Sequence, residues 1–134
     1  MKEQNEAKKV LSNIFKQYGT DLEAEQNGRK FYVDVDNDAY FLIASYKRNK
    51  NLARENAELM KLPQNQRSEN DVIEIFIRNS VKGWNNICDI NGDEIQYSKT
   101  NAIEVLTQLP DLVDELVGFA MDSENYRIET IVKN

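Results

Sequence analysis

Between Trp84 and Tyr126 the chain is punctuated more tightly than anywhere else, and those stops decide which elements can form there. Gly83-Trp84-Asn85-Asn86-Ile87-Cys88 leads into Asp89-Ile90-Asn91-Gly92-Asp93, where the Asn91-Gly92 pair suits a turn because both residues tolerate positive φ. Ser98 stands where an N-cap belongs and predicts a helix to about Leu109, with Ala102, Ile103, Val105 and Leu106 facing inward. Pro110 fits the first position of a last helix, where a backbone N–H has no intrahelical partner to lose. Leu112, Val113, Leu116, Val117, Phe119 and Ala120 give that helix a broad apolar face, and it stops near Asp122-Ser123. Trp84 and Ile87 are expected in the core. The same stretch offers no persuasive catalytic arrangement.

Upstream, Ala7, Val10, Leu11, Ile14, Phe15 and Tyr18 recur at helical spacing and predict an amphipathic helix over 3–18 that ends at Gly19. One apolar stripe cannot bury itself, so it must dock on the body or on a partner. Gln26-Asn27-Gly28-Arg29 reads as a turn. Phe31, Val33 and Val35 then alternate with Tyr32, Asp34 and Asp36, a strand with one wet face. Asp36-Asn37-Asp38 turns the chain into a second strand over 39–46. Two strands are marginal alone, and residues 20–25 offer a third. A helix follows from Asn49 or Asn51 to Leu62, ended by Pro63. Ser68 caps a segment rich in β-branched residues, in which Val72, Ile73, Phe76, Ile77 and Val81 keep helical spacing. It reads as a helix stopped by Gly83, with a buried strand over 72–77 as the alternative. The end, Tyr126 to Asn134, reads as loose.

The fold class expected is therefore α+β, mainly helical, with a small N-terminal antiparallel β-hairpin or three-stranded sheet and a helical C-terminal half. Residues 1–20 form an amphipathic arm, 21–129 a single domain, and 130–134 a loose tail. A chain of 134 residues can bury a core without a metal or disulfide staple. The one cysteine, Cys88, rules out an internal disulfide, and with no signal-like start the expectation is a reducing compartment. No apolar run approaches the roughly 20 residues that span a bilayer.

Charge narrows the partners. Twenty-three acids against 17 bases give a net charge of −6, which repels a phosphate backbone. The balance is uneven: residues 47–67 carry six bases and two acids, whereas 111–129 carry six acids and one base. Such patches can steer a partner or a second copy, or be ordinary solvated helix faces. The basic run Lys47-Arg48-Asn49-Lys50 lies near Tyr40, Phe41 and Tyr46, but an RNA platform needs those rings exposed and the net charge opposes it.

Reactive chemistry is thin. There is no histidine, hence no ordinary proton shuttle near neutrality. Asp89-Ile90-Asn91-Gly92-Asp93-Glu94 imitates a calcium loop, yet Gly92 falls at position four and Thr100 at position twelve, where the loop wants glycine at six and glutamate at twelve. Cys88 lacks an activating base and reads as a buried small side chain beside Trp84. Asp34, Asp36 and Asp38 alternate along one strand face, a solvated edge or a site for a hard cation. No catalytic residue, metal ligand or cofactor is assigned. Apolar helix surface remains: either every stripe is core, or some of it holds an apolar segment of another protein.

The segment 81–125 resembles the tail assembly chaperones of long-tailed bacteriophages. The resemblance lies in Trp84-Asn85-Asn86-Ile87, Asp89-Ile90-Asn91-Gly92, Tyr97-Ser98-Lys99-Thr100-Asn101-Ala102, Leu109-Pro110-Asp111-Leu112 and Asn125-Tyr126, with the layout from about residue 25 in looser agreement. The N-terminal helix departs from that pattern, and Tyr126 stands where phenylalanine is common. The resemblance implies a non-enzymatic protein of the host cytoplasm, absent from the mature virion. It would hold the tape measure protein soluble while the tail tube protein gathers, with self-association a further option and neither nucleic acid nor membrane as partner. Val10, Ile14, Leu112, Leu116 and Phe119 are the expected partner contacts; Trp84, Ile87, Asn91, Gly92, Ser98 and Pro110 are the expected core and turn positions. The rival classes are a structural adaptor or head–tail completion protein kept in the virion, and a metal-dependent nucleic-acid-processing enzyme built on Asp34, Asp36 and Asp38.

Overall fold

The computed structural model describes residues 13–129. Three antiparallel strands in the order β1-β2-β3 form one sheet, and helices pack against its inner face. The elements are α1 (13–18), α2 (Leu22–Asn27), β1 (Arg29–Asp34), β2 (Ala39–Ile43), α3 (Lys50–Met60), α4 (Glu69–Ser80), β3 (Val81–Asn85), α5 (Lys99–Leu106) and α6 (Pro110–Met121). Short 3₁₀ turns lie at Gln64–Gln66 and Ser123–Tyr126. The protein is α+β and mainly helical, as the periodicities imply.

The central strand explains the layering. In β2, Ala39, Phe41 and Ile43 are buried while Tyr40 and Leu42 point to the other face. The buried three meet Phe76 and Ile77 of α4, Ala102 and Leu106 of α5, and Val113, Leu116 and Ala120 of α6. This apolar face of the central strand thus closes against three helix stripes, and the burial is the main stabilising term.

The third strand comes from the middle of the chain. Residues 20–25 do not supply it: Asp21 caps α2, its carboxylate accepting from the Ala24 N–H at 3.0 Å. That cap converts the stretch into a helical turn, and Gly28 ends it at φ 103°. The edge partner of β2 is instead β3, paired Tyr40 to Asn85, Phe41 to Trp84 and Leu42 to Gly83. Gly83 accordingly lies within a strand. The helix before it stops three residues earlier, at Ser80, because Val81 is extended (φ −86°, ψ 102°). The segment 72–77 is helical, started by a capping box in which Ser68 and Asp71 satisfy each other's backbone N–H. Periodicity outweighed β-branching there.

Trp84 pins the next segment to the sheet. Its indole N–H donates to the Ile95 carbonyl at 2.8 Å, and its ring meets Phe41 and Tyr97 edge-on. Tyr97 returns a hydrogen bond to the Val81 carbonyl at 2.7 Å. Between them Asp89 accepts from the N–H groups of Asn91 and Asp93, Gly92 adopts φ 85°, and Cys88 bridges Glu94. This is a hairpin-like turn. Ser98 caps α5 through the Asn101 N–H, and α5 ends at Leu106, three residues short of the expected Leu109. Pro110 is the first residue of α6.

The C-terminal segment is anchored at its start. Tyr126 is fully buried, and burial, then the nearby Glu25 charge, push its phenol above the ordinary tyrosine value. Arg29 donates to the carbonyls of Asn125 and Arg127 and pairs with Asp21 and Glu129. Residue 20 bridges Arg127, flanked by hydrogen bonds from Asp21 to Tyr126 and from Ile128 to Gly19. The expected loose stretch is thus locked at least to Glu129, because a buried aromatic and an arginine hub hold it. Residues 130–134 lie outside the described residues.

Candidate functional site

An open groove of about 610 Å³ runs between the hairpin and the α5–α6 corner. Its floor is core: Ala39 and Phe41 of β2 and Ile87 after β3 are all buried. Its walls are Val33 of β1, Val105 of α5, Leu109 at the corner and Leu112 in the first turn of α6. Val33 is 45% exposed and Leu109 43%, so apolar side chains face solvent along a channel continuous with the core. Two local facts open it. Pro110 prevents α5 from running on, so Leu109 is left at a corner. The register also shifts between Tyr32 and Asp34, which offsets Val33 from the regular ladder.

One end of the groove is polar and ordered. Asp34 accepts from the Asn37 side chain at 2.7 Å and from its N–H, which holds the carboxyl below the ordinary aspartate value. Asn86, at φ 53°, donates to the Asn37 carbonyl. The groove is therefore lined mainly by apolar side chains, with Asp34 as its acidic residue. Cys88 stands exposed at the rim rather than buried beside Trp84, because Ile87 takes the inward position.

The expected contact residues separate. Leu112 lines the groove. Leu116, at 0% exposure, is core and offers no surface. Phe119 is half-buried, packed edge-on against Phe31 and Tyr126 at 5.5 and 6.0 Å. Both are inward because α6 closes the sheet and its apolar face is spent on that. Ile14 is 50% exposed on α1, and the groove does not include it. Val10 lies outside the described residues. Trp84, Ile87, Asn91, Gly92, Ser98 and Pro110 are core, turn or cap positions, as the preceding geometry states. Val33, Val105 and Leu109 were legible only as core or helix-end residues, since nothing in their spacing marks a wall left open.

Asp34 ends β1, while Asp36 and Asp38 lie within the turn 35–38 and not along the strand face, with Asp38 accepting from Asn85. Among the described residues no group of three or more His, Cys, Asp or Glu is arranged to hold a metal ion. Among the same residues no helix is long and apolar enough to cross a membrane.

No curated protein and no solved structure matches the chain. A family model described as YdaY prophage protein matches residues 35–133, which takes in the hairpin turn, β2, β3, every helix from α3 onward and most of the groove. That match spans well over half of the sequence, and the chain belongs to the YdaY prophage protein family.

Proposed function

We propose that this prophage protein is a non-enzymatic chaperone of tail assembly, which holds an apolar helical segment of the tape measure protein in the groove between its hairpin and the α5–α6 corner. The observation that carries the reading is the open, mainly apolar channel: Val33, Leu109 and Leu112 offer greasy contact, and Asp34 complements a basic flank on an amphipathic helix. Membership in a prophage family supports it, as does the resemblance over 81–125 to tail assembly chaperones. An open channel suits an occupant that is held in transit. Shallow apolar contact shields a helix from aggregation and releases it when tail tube subunits compete. In this reading the protein works in the host cytoplasm, takes no cofactor and leaves before the virion is complete.

The test is co-expression with the prophage's tape measure protein. The wild-type chain keeps the tape measure soluble and co-purifies with it, while Val33→Glu and Leu109→Glu fold normally and lose both effects. Unchanged solubility and co-purification in those variants would sink the groove assignment. Peptides of this chain in purified mature virions would favour an adaptor kept in the particle.

A further inference from the structure

We propose that a second groove, at the start of α3, binds an acidic peptide segment of a protein partner, with Lys47, Lys50 and Lys82 meeting its carboxylates and Leu22 its apolar residue. This concavity of about 590 Å³ shares no lining residue with the apolar channel and goes beyond the chaperone reading. Its base is the buried Glu25, which receives Arg48 bidentately, Nε to Oε1 at 2.7 Å and the terminal nitrogen to Oε2. The pair cancels the Arg48 charge and stiffens the wall. Arg48 sits at φ 57°, a left-handed conformation that a Cβ-bearing residue keeps only when its surroundings hold it.

The three lysines are different. All are exposed, and among the described residues none forms an ion pair. Lys47 donates to the neutral Ser123 hydroxyl. Lys82 lies where the β2–β3 register shifts, and partial desolvation of its otherwise exposed side chain, then the Lys99 charge, pushes its ammonium below the ordinary lysine value. Positive charge is therefore gathered without its counterpart, in a chain whose net charge is −6. The first turn of α3 adds its positive end. Leu22, 59% exposed at the rim, supplies apolar contact. No aromatic ring lines this groove, so it lacks the stacking platform that single-stranded nucleic acid needs, and a peptide is favoured.

The experiment is fluorescence anisotropy of a labelled peptide alternating Glu and Leu, titrated with the full chain at low ionic strength. The expected result is saturable binding that weakens with salt and falls about tenfold in Lys50→Glu/Lys82→Glu. Leu109→Glu in the apolar channel leaves it unchanged, which separates this site from the chaperone groove. Circular dichroism confirms the fold of each variant, and Lys50→Ala/Lys82→Ala provides a milder pair. Absent binding, equal affinity in the lysine variants, equal affinity for a control peptide alternating Gln and Leu, or equally tight binding of a single-stranded oligonucleotide of matched charge would each overturn the proposal.

Discussion

The Tyr126 hydroxyl donates to the Ile43 carbonyl at 2.8 Å, joining the last described turn to the central strand across 83 residues of sequence. Both groups are buried, so neither has water as an alternative. Tyr126→Phe is expected to cost about 1 kcal/mol in urea unfolding, the loss of one buried hydrogen bond. Tyr126→Ala should cost about 3–5 kcal/mol, because the ring also fills the core beside Phe119. Equal effects of the two changes would show that the hydroxyl's bond alone matters, and no effect of Tyr126→Phe would show that the ring alone does.

Two glycines should respond in opposite directions. A Cβ on Gly28 would meet the backbone of Leu42 and Ile43 at 3.1 Å and be forced to φ 103°. Gly28→Ala is expected to destabilise by more than about 1 kcal/mol. Gly118 is exposed within α6, with nothing within 4 Å of an added Cβ. Gly118→Ala should stabilise by about 0.5–1 kcal/mol through helix propensity. Thermal melts of the pair check both signs.

Apolar residues of the groove wall and of the core should also separate. Val33→Glu and Leu109→Glu change stability by less than about 0.5 kcal/mol, since both side chains already face water. Leu116→Ala, in the fully buried position, should cost about 2–5 kcal/mol. A large cost at Leu109 would mean that the groove wall is structural.

Acid should loosen the α3–α4 pair. Glu55 accepts from Asn79 and from Arg78, and these bonds, the Asn79 one foremost, hold its carboxyl below the ordinary glutamate value of 4.5. A depressed native value means that the stability it brings is complete above the ordinary value and is lost as pH falls through the lower native one. Glu55→Gln should flatten that part of the stability–pH curve and lower stability at neutrality. An unchanged acid limb would remove Glu55 as its source.

The Cys88 thiol is exposed, so a disulfide-exchange reagent should label it fully in native buffer, at nearly the rate seen in denaturant. Protection in the native state would return it to the interior.

The local signals of this chain were reliable where one residue type has one job. Ser68 and Ser98 mark helix starts, Pro110 opens α6, and Asn91-Gly92 turns. Each acts through backbone groups within a few residues, so no distant partner is needed. Signals with two meanings misled. Gly83 terminates helices in sequence terms but here lies flat in a strand beside Leu42. Residues 20–25 have strand-like candidates, yet the Asp21 cap makes them helical.

By itself the sequence determined the class of fold, the caps and turns, and the apolar faces, because periodicity and backbone chemistry are short-range. Only the tertiary structure decided which faces stay open. It closed Leu116 into the core and packed half-buried Phe119 against it, left Val33 and Leu109 lining a channel, made Tyr126 an anchor and set Lys82 beside Lys47 and Lys50. Those outcomes depend on how strands and helices far apart in the chain come together, and a spacing rule cannot report which of two apolar stripes finds a partner first.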